Sequence, residues 1–189
     1  MKKQYWVEIL ILLLFLCLIS ACSTVTETNL SEQAVKTAID SANEYVALGQ
    51  YDLALEVYNS ALEEEVLDYR LIYNKALVLA YMGQYKEAAF VCEEGFKMYD
   101  YILAFKTAQA YYYNLAGATE KACSAYLEIL QLNPYDTTTR NKLVDLYKDL
   151  NLYEQALEQV NIMWEQGYKT SSNLSLIKEL QELTKEKSN

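Results

Sequence analysis

Gly49-Gln50-Tyr51-Asp52-Leu53-Ala54 returns 34 residues later as Gly83-Gln84-Tyr85-Lys86-Glu87-Ala88. It returns again as Gly117-Ala118-Thr119-Glu120-Lys121-Ala122, and a fourth time as Asn151-Leu152-Tyr153-Glu154-Gln155-Ala156. The spacing neither gains nor loses a residue, so the chain divides into four repeats, 35–68, 69–102, 103–136 and 137–170. A fixed period of this length marks one supersecondary unit used several times. Each repeat reads as two helices. In the second, Ile72, Ala76 and Leu79 share one face of a first helix, and Tyr85, Ala88 and Cys92 continue at helical spacing after Gly83. Gly49, Gly83 and Gly117 stand where one helix stops and the chain reverses. That position calls for left-handed backbone, which Gly adopts without strain and Asn, here Asn151, adopts next most readily.

Ala54, Ala88, Ala122 and Ala156 fall early in the second helices, where a small side chain lets two helix axes approach. Tyr51, Tyr85 and Tyr153 precede three of them by three positions and fill the space between hairpins. Tyr45, Leu79, Tyr113 and Tyr147, four residues before each turn, supply the matching surface from the first helices. After Gly167, Ser172 or Asn173 can cap a last helix, 172–187, with Leu176, Ile177, Leu180 and Leu183 on its apolar stripe. Asn29 and Ser31 are candidate caps for a first helix ending near Leu48.

A 34-residue helix–turn–helix with Gly at the turn, an aromatic two residues on and Ala three beyond resembles the tetratricopeptide repeat. Asn133-Pro134 matches that family's habit of closing a repeat with Pro. The resemblance implies an all-α fold, a right-handed α-solenoid of four tetratricopeptide hairpins plus the C-terminal capping helix, over residues 31–187. The sequence departs from the family where Trp is usual early in each first helix: Ala38, Ile72, Lys106 and Arg140 stand there. Gly95 replaces an expected Ala, and Thr119 interrupts the aromatic column.

Composition narrows the function. The chain has 189 residues, 52% of them hydrophobic, with one Pro and five Gly, which favours long helices with short connections. A formal charge of −10 repels phosphate, so nucleic acid is excluded as a partner. There is no His, the commonest general base and metal ligand. Cys17, Cys22, Cys92 and Cys123 match no metal or redox spacing. Cys92 and Cys123 read as buried thiols, with a bridge left open. Glu63-Glu64-Glu65 and Glu93-Glu94 read as solvated helix faces. No nucleophile–base pair or phosphate loop is present, so the expectation is no catalytic residue, no metal and no cofactor.

The N-terminus reads as an address. Lys2 and Lys3 precede the apolar run Ile9–Ile19, and Ser20-Ala21 stand before Cys22. Ile19-Ser20-Ala21-Cys22 resembles a bacterial lipoprotein signal. That implies a signal peptide at 1–21, a lipidated Cys22 and a polar tether through residue 30. An uncleaved membrane helix is the competing reading, but Tyr5–Ala21 is short and carries Glu8. The implied location is the cell membrane or outer membrane, lipid-anchored and facing the periplasm or exterior.

In stacked hairpins the first helices line an inner wall. Side chains not used in packing then form a candidate groove: Ile39, Asn43, Tyr73, Asn74, Leu77, Thr107, Tyr111, Asn114, Asn141, Asp145 and Lys148. Amides meet both backbone polarities of an extended peptide, and Tyr adds apolar area with a polar tip. A merely wet surface is the alternative. Some relatives clamp a C-terminal carboxylate with Lys, Asn and Arg. Asn43 and Asn74 match the amides, but Ile39, Ala104 and Ala108 replace the cations, so that clamp is rejected. The expected partner is a protein or extended peptide, held near a membrane in cell-envelope assembly. The alternative is an accessory lipoprotein of a periplasmic solute transporter.

Overall fold

The computed structural model describes residues 31–63 and 68–187, and every regular element among them is helical. The signal peptide, Cys22, the tether, Asn29 and Glu64-Glu65 lie outside the described residues. The chain forms two compact parts, one ending at Asn74 and one beginning at Lys75.

The first part holds α1 (residues 31–47), α2 (Tyr51–Glu63) and the start of α3 (Tyr69–Tyr81). Ser31 lies inside α1 and does not cap it. Val35, Ala42, Ala54, Tyr58, Leu71 and Ile72 form the buried interior. Arg70 ties this part together. Its guanidinium donates twice to Glu32 of α1, at 2.9 and 2.6 Å, and twice to Asp68, both at 2.9 Å. Asp68 also accepts the Arg70 backbone N–H at 2.8 Å, which starts α3. These bonds favour the ionised carboxylates and hold Asp68 and Glu32 below their ordinary values.

The second part holds the rest of α3, then α4 (Tyr85–Met98), α5 (Leu103–Leu115), α6 (Thr119–Leu132), α7 (Thr137–Asp149), α8 (Tyr153–Glu165) and α9 (Ser171–Lys187). Helices α3, α5 and α7 begin at residues 69, 103 and 137. Tyr126, Ile129 and Leu130 of α6 pack with Leu143 and Leu146 of α7 in one core cluster. Leu180 of α9 closes another with Val144, Ala156, Val160 and Met163, while Leu176 and Ile177 pack against it. The capping helix starts one residue earlier than expected, and its cap is different. Thr170 Oγ1 accepts the Asn173 N–H at 3.1 Å, and the Asn173 side chain instead donates to the Tyr168 carbonyl at 2.8 Å. Thr170 precedes the first helical turn and so reaches its unpaired N–H groups, as Ser172 and Asn173 within that turn do not.

The four turns are alike in detail. Gly49, Gly83, Gly117 and Asn151 have φ of 70°, 74°, 68° and 56°. The next residue's N–H donates five residues back: Gln50 to Tyr45, Gln84 to Leu79 and Ala118 to Tyr113 at 2.9 Å, and Leu152 to Tyr147 at 2.7 Å. This six-residue closure satisfies carbonyls a helix end leaves unpaired. The same residues' carbonyls then accept the N–H of Ala54, Ala88, Ala122 and Ala156 at 2.9 to 3.2 Å, opening the second helix. All four alanines are 0% exposed.

Gly95 is explained by its neighbour. A Cβ added there would lie 2.5 Å from the fully buried Phe105 ring of α5. The ring occupies the space that Ala would need. Gly95→Ala gains helix propensity of up to about 1 kcal/mol but overpacks the site by about 1–3 kcal/mol. The variant is therefore expected to be about 1 kcal/mol less stable in urea unfolding, and the penalty should shrink in a Phe105→Leu background. An unchanged penalty there would place the cause elsewhere.

The Arg70 network makes a pH prediction. Because both carboxylates are depressed in the folded state, their contribution is full above their ordinary values of 3.8 and 4.5 and is lost as pH falls through the folded ones. Arg70→Gln should lower stability at pH 7 and leave a shallower loss between pH 5 and pH 2. Equal slopes in the variant and wild type would refute the assignment.

Candidate functional site

In the first part, Ile39 and Asn43 lie on α1 and Tyr73 and Asn74 on α3. Asn43 is exposed and the other three are half-buried. The Asn74 amide is engaged, donating one N–H to the Arg70 carbonyl at 2.8 Å, which leaves its oxygen and second N–H to a ligand.

In the second part, Leu77 is half-buried on α3. Thr107, Tyr111 and Asn114 are exposed along one face of α5, and Asn141 and Asp145 along one face of α7. Thr107 Oγ1 bonds back to the Leu103 carbonyl at 3.2 Å. Lys148 is drawn away from α7's polar row by Glu179 of α9, 2.8 Å from its ammonium. The three consecutive tyrosines diverge as a helix requires. Tyr111 is 46% exposed and Tyr112 buried, while Tyr113 is half-buried and donates to Glu93 at 3.2 Å.

Two polar clusters were not foreseen. Glu93 is not simply a solvated residue: it also accepts from Gln109 at 3.3 Å and pairs with Lys97 at 3.2 Å. Glu93, Gln109 and Tyr113 line a cleft of about 270 Å³ with Lys106, Lys121 and Glu128. Burial pushes the Glu93 carboxyl up, but Lys97, Tyr113 and Lys106 outweigh it and hold the group low. Burial, reinforced by the Glu93 charge, pushes the Tyr113 phenol up. The period carried no signal for this cluster, because Glu93 bonds across to the next repeat.

The second cluster centres on Arg140, 5% exposed at the family's Trp position. It donates to Gln159 at 2.6 Å and to the Pro134 carbonyl at 2.7 Å, and that carbonyl also accepts from Gln166 at 3.0 Å. Burial lowers the guanidinium's pKa. A charge placed where an aromatic is usual was the available clue. Cys92 and Cys123 are both free and buried; burial pushes the Cys92 thiol up to about 12. Burial raises the Cys123 thiol as well, so at both positions it disfavours the nucleophilic thiolate. Among the described residues there is no group of three His, Cys, Asp or Glu able to hold a metal, and no helix long and apolar enough to cross a membrane.

Comparison with known proteins agrees with this geometry. Residues 32–65 match the family model described as tetratricopeptide repeat. A tetratricopeptide repeat protein from Parabacteroides merdae ATCC 43184 superposes with a TM-score of 0.64 at 21% identity, over 79% of this chain and 60% of that one. MamA from Desulfovibrio magneticus RS-1, residues 41 to the end, does so with a TM-score of 0.59 at 13% identity, over 82% and 98%. The first tetratricopeptide domain of Spaghetti (RPAP3), solved bound to the HSP90 peptide SRMEEVD, gives 0.53 at 19% identity, over 64% and 97%. The BBSome complex member BBS4 of Bos taurus is 24% identical over 131 residues, 69% of this chain. The chain spans only a quarter of that protein's length and 60% of the Parabacteroides chain. The first repeat thus matches the tetratricopeptide family, and the chain has the all-α helical-repeat fold of tetratricopeptide structures.

Proposed function

We propose that this chain is a non-catalytic scaffold that holds a protein or extended peptide beside a membrane, in cell-envelope assembly. The observation that carries the binding half is the row of accessible side chains on α5 and α7: Thr107, Tyr111, Asn114, Asn141 and Asp145. They are exposed and take no part in the buried core, and they combine amides, a carboxylate and a phenol without a catalytic grouping. A peptide-bound structure among its structural neighbours supports the ligand class. Ile39, Ala104 and Ala108 leave no cation at the clamp positions, so the ligand is read along its backbone and side chains and not through a terminal carboxylate.

The anchoring half rests on Ile19-Ser20-Ala21-Cys22 behind an apolar run. Cleavage before Cys22 and acylation of its thiol and new amine would give more than one hydrocarbon chain, which stable membrane attachment requires. The polar stretch Ser23–Thr28 then serves as a tether. The reading gives an extracytoplasmic protein lying on the cell membrane or outer membrane.

Each half has its own test. Cys22→Ala should abolish labelling by a fatty-acid analogue and release the protein from membranes; unchanged labelling disproves the anchor. Crosslinked membranes should yield a protein partner with the wild-type chain. Tyr111→Ala with Asn114→Ala should reduce that recovery about tenfold or more, as loss of an aromatic anchor does. Equal recovery by wild type and variant would remove α5 from the binding surface.

A further inference from the structure

Four large apolar side chains stand in solvent at the joins between hairpins of the second part. Met98 and Leu132 end α4 and α6 and are 54% and 62% exposed. Tyr101 and Tyr135, three residues on, are 78% and 68% exposed. Each pair is the other moved by 34 residues. The two joins also share a backbone. Their cap residues Tyr99 and Asn133 have φ of −132° and −135°. Each donates its N–H four residues back, to Gly95 at 2.9 Å and to Ile129 at 2.8 Å. Ile102 and Asp136 then donate to the carbonyls of Tyr99 and Asn133 at 2.9 and 3.2 Å. Side chains at matching positions therefore project alike, and stacked repeats set them in a row along one edge. The Tyr99 ring meets that of Tyr101 edge-on, with 6.4 Å between centres, and braces it in solvent. In the fourth repeat Gln166 and Lys169 hold these places, so the row ends there.

The chemistry of the row suits a bilayer surface. Tyr joins an apolar ring to a hydroxyl and gathers at headgroup depth for that reason, while Met and Leu add apolar length. Asp100 and Asn133, exposed beside them, are polar and stop the contact at that depth. All four side chains stand on helix ends and turns, where they meet a broad surface, whereas the anchors of a protein interface fill pockets.

The length of chain ahead of α1 argues for the same occupant. Residues 23–30 separate Cys22 from Ser31, so a lipid on Cys22 holds Ser31 within roughly 30 Å of the bilayer even at full extension. Ser31 stands in the register of Tyr99 and Asn133, so the tether enters where a join would stand. Tethering makes docking an intramolecular step, for which a few side chains suffice. The formal charge of −10 directs the row to zwitterionic headgroups and away from anionic ones.

We propose that Met98, Tyr101, Leu132 and Tyr135 dock this edge onto the bilayer that holds the lipid of Cys22, at headgroup depth. The inference rests on the lipid-anchor reading and adds which edge of the second part faces the lipid.

The test reconstitutes the full chain, made in cells, into vesicles of phosphatidylethanolamine and phosphatidylcholine that carry a nitroxide on the lipid headgroup. The fluorescent residue dansylalanine replaces Tyr101, Tyr135 or, as the control, Asp149, which is exposed at the far end of α7, about 18 Å from its start. Quenching should be at least fivefold stronger at 101 and 135 than at 149. Met98→Glu with Leu132→Glu, both at exposed positions that spare the core, should remove that difference. Equal quenching at the three positions would overturn the inference, as would none at 101 and 135, or quenching that the double substitution leaves unchanged. A blue shift at 101 and 135 in native membranes, without quenching in vesicles, would assign the row to a protein partner and overturn it too. Fatty-acid labelling of the same samples reads the anchor separately. Labelled chain without quenching refutes the docked edge alone, whereas unlabelled chain refutes the anchor and the inference with it.

Discussion

One backbone residue serves two helices at every turn, and the hairpins depend on it. The N–H of Gln50, Gln84, Ala118 and Leu152 closes the helix behind, while the carbonyl opens the helix ahead. Both bonds require the preceding residue to be left-handed, and Gly49, Gly83, Gly117 and Asn151 are. With no slack residue between the two bonds, the angle at which the second helix leaves is fixed. Each alanine four residues on is then carried into full burial. A shared hinge of this kind leaves no room for an insertion, and it accounts for the strict spacing of the four repeats.

What the period encodes was therefore legible before any coordinates. The turn conformations, the buried alanines, the starts of α3, α5 and α7 and the apolar stripe of α9 all follow from residues that recur or from simple helical spacing. What breaks the period was not legible. Glu93 reaches out of its own repeat to Gln109 and Tyr113, a link between positions that share no register. Arg140 takes a buried aromatic's place and recovers its polar partners from Gln159 and the Pro134 carbonyl. The α9 cap moved to Thr170 because a cap depends on which residue stands just outside the first turn, a boundary that pattern reading places only within a residue or two. The candidate binding residues were named from spacing alone. Coordinates add that the Asn74 amide and Lys148 are engaged within the chain, whereas Asn43, Tyr111, Asn114, Asn141 and Asp145 are exposed.

The repeats share a hinge but not an interior. The column Ala38, Ile72, Lys106 and Arg140 passes from small to aliphatic to charged along the chain. Lys106 stays partly solvated and pairs with Glu128, with its ammonium 5.2 Å from the Phe96 ring centre. Arg140 is held by neutral oxygens, so its charge is desolvated without an opposite charge in contact, the arrangement most sensitive to losing a partner. A constant backbone scheme thus tolerates different cores, because the turn and the alanine set the helix spacing and leave the remaining volume to local matching such as Gly95 with Phe105.

The two buried thiols give the molecule a built-in clock for its own breathing. Cys92 belongs to α4 and Cys123 to α6; both are buried, and burial disfavours the thiolate of each while its helix is seated. A thiol reagent therefore modifies each at the rate at which that one helix lifts from its neighbours. Second-repeat and third-repeat fluctuations are in this way recorded separately within a single chain, with no label added.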